Sequence, residues 1–344
     1  MSYNPVIAIF IFLGISLIIF LFFRPEKGWY FMFKNKPKKD KTVLEDILKN
    51  LYRNQSSGNT TTTNNLITTL PFSHSVIIKN IEKMIADGLI LLHKDTYELT
   101  EKGKEYALQI IRAHRLWEKY LSEKTGFHKN EWHQRAEQKE HELNYEELER
   151  LSHLLGNPKF DPHGDPIPTS KGHLPQIDGL PLTLLKEKSL AKIIHIEDEP
   201  NIIYRKILEK NIHLHSIIKI IENSNDRIVF YSEGQKFTIS PLMAGNITVS
   251  KIEELEKKVN IHRLSNLKLN EKAVIVGLSK ECRGENRRRL LDLGFVPGSE
   301  IEKYLPNPFD EPNAYIIKDT VIALRNEQAD KVLIKKKNDE TKHK

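Results

Sequence analysis

A single cysteine, Cys282, in 344 residues excludes a disulfide framework and a zinc site built on thiolates. The scarcity fits a reducing compartment. Long apolar runs are missing after the first thirty residues. At 39% hydrophobic and 29% charged, the chain has the balance of a globular protein with a real core. No nucleophile and no phosphate-cradling loop stands out, so an enzyme is not expected. Neither sign of charge dominates. The net +7 permits nucleic acid or an anionic membrane surface as a partner and requires neither.

The exception comes first in the chain. Residues 5–23 carry no charge and are mostly Ile, Phe and Leu. At about 1.5 Å per residue such a run spans roughly 28 Å, which predicts one N-terminal transmembrane helix. The preceding Met-Ser-Tyr-Asn has no basic residue and no small-residue cleavage site follows, which argues against a secretory leader. Arg24, Lys27, Lys34, Lys36, Lys38 and Lys39 follow the run. By the positive-inside rule this predicts a single-pass protein of the cytoplasmic membrane with its C-terminal bulk in the cytoplasm.

Beyond a basic linker ending at residue 41, apolar spacing predicts a helix over 43–52 and a short one over 65–70. A third, over 76–87, ends at Gly88, with Ser73 or Ser75 as its cap. Two short strands, 89–92 and 96–99, complete the order of a winged helix-turn-helix over 42–103. Three helices follow, 101–125, 129–143 and 145–155, in a helical domain spanning 104–160. A Pro-rich linker, 161–190, leads to β-branched runs in two stretches, 191–252 and 261–336, each read as a small β-barrel. The fold class is α+β.

His133, Glu137, Glu140 and His141 fall on one face of the second of these helices, within an arc of about 100°. His114 and Glu118 stand one turn apart on the helix before it. Two packed helices would therefore gather six side chains of the metal-ligating type.

Three segments carry a family resemblance: Ala113-His114-Arg115-Leu116-Trp117-Glu118, His133-x-x-x-Glu137-x-x-Glu140-His141, and Pro162-His163-Gly164-Asp165-Pro166-Ile167-Pro168. They resemble the diphtheria toxin repressor family of metal-dependent regulators, which includes a manganese branch. The resemblance implies a helical metal-binding and dimerisation domain behind the winged helix, and an SH3-like barrel behind that. It implies Mn²⁺ or Fe²⁺ as cofactor, a homodimer, and DNA as partner. One metal site would use Asp46, Glu137, Glu140 and His141. A second would use His114, Glu118 and His133, and His114 can serve either. Glu197, Asp198 and Glu199 lie near the second site without a clear register. Glu137 stands where iron-sensing members carry cysteine, an oxygen-richer choice that suits Mn²⁺. Lys49 stands where the manganese branch has a glutamate, and a protonated lysine cannot ligate, which argues against a two-metal cluster.

The same alignment starts the recognition helix near Ser73, with His74, Ser75, Lys79 and Lys83 offered to DNA. Val76, Ile77 and Ile78 follow in a row, and one of them must face outward or into the turn. Arg287 to Gly298 and Ala323-Leu324-Arg325 make the last domain similar to FeoA, a small SH3-like domain of ferrous-iron uptake systems. Arg24-Pro25-Glu26-Lys27-Gly28 and the basic stretch after it are similar to the end of metal ABC-transporter permeases that carry a repressor-like region. Two functions therefore stand open. One is a membrane-anchored, metal-dependent transcriptional regulator. The other is a module that binds no DNA and reports metal to a metal ABC transporter.

Overall fold

The computed structural model describes residues 12, 15–16, 29–127, 129–252, 261–305 and 311–336. The chain divides into two compact units, residues 1–112 with 140–143 and 170–172, and residues 113–139 with 144–169 and 173–344.

The first unit opens on α1 (Trp29–Ser56), longer at both ends than the 43–52 expected from apolar spacing. Its buried stripe is Val43, Leu44, Ile47, Leu48 and Leu51. β1 (Thr61–Thr62) leads into α2 (Thr63–Thr69), whose start is fixed by a capping box. The Thr62 hydroxyl accepts from the Asn65 amide, and the Asn65 side chain accepts from the Thr62 amide. α3 (His74–Ala86) ends at Gly88, which takes a left-handed φ of +65°. The hairpin of β2 (Ile90–His93) and β3 (Thr96–Leu99) forms the wing, and the antiparallel sheet runs β1-β3-β2. α4 (Glu101–Lys124) then passes close under the wing. A Cβ at Gly103 would stand 2.0 Å from the Leu89 carbonyl oxygen, so only glycine fits. Ile77, Ile81 and Met84 of α3 pack with the α1 stripe, Leu66, Ile90 and Ile110 into one core.

The expected transmembrane helix, and with it placement in the cytoplasmic membrane, is corrected here. Among the described residues no helix is long and apolar enough to cross a membrane. α1 begins at Trp29 but takes in Lys34, Lys36, Lys38, Lys39 and Lys41, a charge load a bilayer core does not accept. Apart from Phe12, Ile15 and Ser16, the run over 5–23 lies outside the described residues.

The second unit holds the C-terminal half of α4, then α5 (Lys129–Glu140, up to Lys139) and α6 (Tyr145–Leu154). Two six-stranded antiparallel sheets follow, with one connectivity used twice. The first comprises β4 (Leu180–Pro181), β5 (Leu190–Ile196), β6 (Ile217–Asn223), β7 (Ile228–Ser232), β8 (Gln235–Ile239) and β9 (Ile247–Lys251), in the order β4-β9-β5-β6-β7-β8. The second comprises β10 (His262–Arg263), β11 (Lys272–Leu278), β12 (Glu300–Leu305), β13 (Asn313–Ile317), β14 (Thr320–Leu324) and β15 (Val332–Lys336), in the order β10-β15-β11-β12-β13-β14. Each has a helix after its first long strand, α7 (Asn201–Glu209) or α9 (Gly284–Asp292). Each has a short one before its last strand, α8 (Pro241–Gly245) or α10 (Asn326–Ala329). The bulges recur too, at Ile193/His195 and at Ile275/Gly277. Phe230 and Ile247 centre one core, Tyr315 and Phe295 the other.

Candidate metal centre

In the first unit, α1 presents Glu45, Asp46 and Lys49, and the segment 140–143 presents Glu140 and His141. Asp46, Glu140 and His141 place their donor atoms close enough together to share one ion. His141 Nε2 lies 3.3 Å from Asp46 Oδ1 and 3.6 Å from Glu140 Oε1. Its other nitrogen, Nδ1, is 2.6 Å from Glu45 Oε2. Glu45 is thus an orienting partner that spacing did not reveal. It is buried, and the Tyr106 hydroxyl donates to its other oxygen at 2.7 Å. This is the usual arrangement behind a metal-binding imidazole, with the non-ligating nitrogen tied to a carboxylate. Burial works against the His141 imidazolium, but its hydrogen bonds to the Asp46 and Glu45 carboxylates and the charge of Glu140 outweigh that and lift the group to about 9. Lys49 Nζ stands 2.7 Å from Glu140 Oε1.

In the second unit, α4 contributes His114 and Glu118 and α5 contributes His133 and Glu137. The turn at 161–166 contributes His163, and the end of β5 leads to Asp198 and Glu199. Glu118 Oε1 has three imidazole nitrogens around it: His114 Nε2 at 3.2 Å, His133 Nδ1 at 3.3 Å and His163 Nε2 at 3.9 Å. His133 in turn meets four carboxylates. Asp198 Oδ2 is 2.9 Å from its Nδ1, and Glu199 Oε1 and Glu137 Oε1 are 3.3 and 3.5 Å from its Nε2. Three overlapping ligand sets result: His114–Glu118–His133, Glu118–His163–Asp198, and His133–Glu137–Glu199. Burial raises the Glu118 carboxyl, yet the His114 charge and the His114 and His133 hydrogen bonds hold it well below the usual range. Burial lowers His133, yet Asp198, Glu118, Glu137 and Glu199 together raise it strongly.

The Pro-His-Gly-Asp-Pro signature proves to be a scaffold. Asp161 Oδ1 accepts from the backbone amides of His163, Gly164 and Asp165 at 2.8, 2.9 and 2.9 Å. Gly164 has φ +97°, and a Cβ there would stand 2.3 Å from the Ile194 carbonyl oxygen. The turn therefore seats flat on β5. Arg115 clamps it by donating to Pro166 O at 2.6 Å and Asp165 Oδ1 at 3.0 Å. This holds His163 with Nδ1 3.1 Å from the Tyr204 hydroxyl. His163 Nε2 is buried with no hydrogen-bond partner among the described residues, and it faces Glu118. A buried imidazole nitrogen left unsatisfied beside carboxylates is what a cation ligand looks like without its ion.

Of the residues expected from sequence, Asp46, Glu140 and His141 come together in one unit, and His114, Glu118 and His133 in the other. Glu137 faces His133, with its side chain 51% exposed. His163, Asp198 and Glu199 complete the second set. The resemblance put Asp198 and Glu199 near this set without a register, and the histidine inside the signature was the available signal for His163. The donors are all nitrogen and oxygen, and Cys282 is buried in the last domain. That chemistry fits Mn²⁺ or Fe²⁺.

On α3, Ser73, His74, Ser75, Lys79 and Lys83 are exposed, and Lys79 pairs with Asp40 at 3.2 Å. Ile77 enters the core, while Val76 and Ile78 are half-buried, so the apolar row does not occupy the outer face.

Residues 100–169 match the iron dependent repressor metal binding and dimerisation domain, and residues 262–336 match the FeoA domain. Over 127 residues the chain is 32% identical to the iron-dependent repressor IdeR of Mycobacterium tuberculosis, covering 37% of this chain and 55% of that protein. Over 81 residues it is 44% identical to a probable metal transport system membrane protein of Chlamydia trachomatis, covering 24% and 18%. The chain thus spans about a fifth of one of these relatives and about half of the other. A manganese-dependent transcriptional repressor solved in complex with manganese superposes with a TM-score of 0.56 at 27% identity, over 60% of this chain and 99% of that one.

Proposed function

We propose that the chain is a metal-dependent transcriptional repressor, a reading supported by the match of residues 100–169 to the iron dependent repressor metal binding and dimerisation domain and of residues 262–336 to the FeoA domain. Mn²⁺ or Fe²⁺ is its corepressor, taken up by Asp46, Glu140 and His141 and by His114, Glu118, His133, His163 and Asp198. The observation that carries the reading is His133, one imidazole with four carboxylates within 3.5 Å. Such an excess of negative charge is costly unless a cation offsets it.

The metal-loaded protein binds DNA as a homodimer. A two-fold dimer matches a palindromic operator. Leu148 and Leu151 of α6 are spent on the chain's own core, which leaves Tyr145 and Leu154, 59% and 62% exposed, for a partner. α3 offers His74, Ser75, Lys79 and Lys83 from its exposed side. Ser and His reach base edges, whereas the lysines reach phosphates.

A mobility shift with the gene's upstream region against random DNA, with and without Mn²⁺, tests this reading. A shift that needs metal supports it. No shift with metal at low salt favours the second reading, a metal-sensing module for a metal transporter. The likeness to the chlamydial transport protein keeps that reading in view.

A further inference from the structure

A cavity of about 60 Å³ opens inside the second unit, where α4 and α5, the first β-sheet domain and the FeoA domain meet. Five cationic side chains line it: Lys119, Lys129, Lys280, Arg283 and Lys331. Three acids face them, Glu123, Asp161 and Glu281. Glu281 is already engaged with Lys129 at 3.6 Å, Arg263 at 3.4 Å and the Leu214 amide at 3.1 Å. Asp161 accepts from the backbone amides of His163, Gly164 and Asp165. Glu123 alone serves both Lys119, at 3.4 Å, and Arg283, at 3.9 Å. Lys119 is 3% exposed, a buried ammonium sharing one carboxylate with a guanidinium.

His215 lines the same cavity, and its buried Nδ1 has no hydrogen-bond partner among the described residues. Burial and the charge of Lys192 push its imidazole down to about 4, so the ring is neutral near pH 7 and can offer an N–H to a ligand. Five cations against three acids and a buried imidazole nitrogen without a partner among the described residues describe a receptor for negative charge. A single water needs about 10–15 Å³ of such space, so the room suits a compact polyatomic ion.

We propose that this cavity binds a small multivalent oxyanion, of the class of inorganic phosphate or a compact polycarboxylate. Its walls come from the metal-bearing helices and from both β-domains. A bound anion would therefore hold the FeoA domain against α4 and α5. Gly284 shows how close that seat is, since a Cβ there would stand 2.6 Å from the Glu123 carbonyl oxygen.

The test titrates the metal-free full chain, without DNA, with sodium phosphate and separately with sodium citrate. Sodium chloride at matched ionic strength is the control, and the readouts are calorimetry and thermal melting. Saturable binding of either oxyanion, absent with chloride and weakened about tenfold in Lys280→Ala and in Arg283→Ala, is expected. A response to phosphate alone or to citrate alone supports the site and identifies the source. Lys280 is exposed, so its variant stays readable even if Arg283→Ala fails to fold. No saturable response to either anion, or wild-type affinity in both variants, overturns the proposal. The metal-dependent function is untouched by either outcome, because no metal enters the measurement.

Discussion

The Lys49 ammonium lies 2.7 Å from Glu140 Oε1, on a carboxylate that is itself buried and belongs to a metal-ligating set. A cation built into the chain thus competes with the incoming ion for one oxygen and repels it by charge. Lys49→Met removes both effects while keeping the apolar stem. It should tighten Mn²⁺ binding at this site about tenfold, a change of roughly 1.4 kcal/mol. Calorimetry on the full chain reads it, and an unchanged or weaker affinity would show that Lys49 holds Glu140 in place instead of blocking it.

Metal binding at the same site should release a proton. The folded protein favours the His141 imidazolium up to about pH 9, whereas a metal ligand must be the neutral ring. The His141–Glu45–Asp46 pairing stabilises the metal-free fold fully below pH 6.5 and stops doing so as pH rises through about 9. Metal affinity runs the other way. Between those limits it should climb by up to about tenfold per pH unit from this group. Titrations in buffers of different ionisation enthalpy count the protons, and none released at pH 7 would be inconsistent with this pairing.

The signature turn should be intolerant of a single methyl. At Gly164 a Cβ meets the Ile194 carbonyl oxygen at 2.3 Å, on a backbone with φ +97°. Gly164→Ala is expected to cost about 1–3 kcal/mol of stability in denaturant unfolding. Because the turn aims His163 at Glu118, the variant should also weaken metal binding in the second unit. Wild-type metal affinity in a destabilised Gly164→Ala protein would separate the turn from the site.

If α3 reads DNA as proposed, Lys83→Ala should lower affinity across all sequences and reduce the salt slope by about one. Ser75→Ala or His74→Ala should instead narrow the gap between operator and random DNA. The mobility shift repeated over a salt series distinguishes the two. A Lys83→Ala protein with an unaltered slope would remove that residue from the interface.

Much of this was legible in the sequence, for a physical reason. His114 with Glu118, one helical turn apart, and Glu140 with His141, adjacent in the chain, are pairs set by local spacing, and the structure brings the members of each together. What stayed hidden depends on long-range packing. Spacing gives Glu45 no role, because its partner His141 lies nearly a hundred residues later and comes within 2.6 Å of it only in the fold. Asp198 and Glu199 follow a β-strand whose register no spacing rule supplies, and His163 sat inside a turn that looked merely rigid. The apolar run over 5–23 was read from hydropathy alone, and among the described residues no helix carries that reading. In α3, adjacency hid what burial shows, since Ile77 enters the core, Val76 packs against it and Ile78 is half-buried.

The account stands most directly on metal binding by two separate sets of side chains. Mn²⁺ binding to the full chain, followed by electron paramagnetic resonance of free ion, measures it in the wild type, in Glu140→Ala/His141→Ala and in Glu118→Ala/His133→Ala. The account predicts that each double variant loses one class of tight site and keeps the other. Wild-type stoichiometry and affinity in both double variants would contradict it.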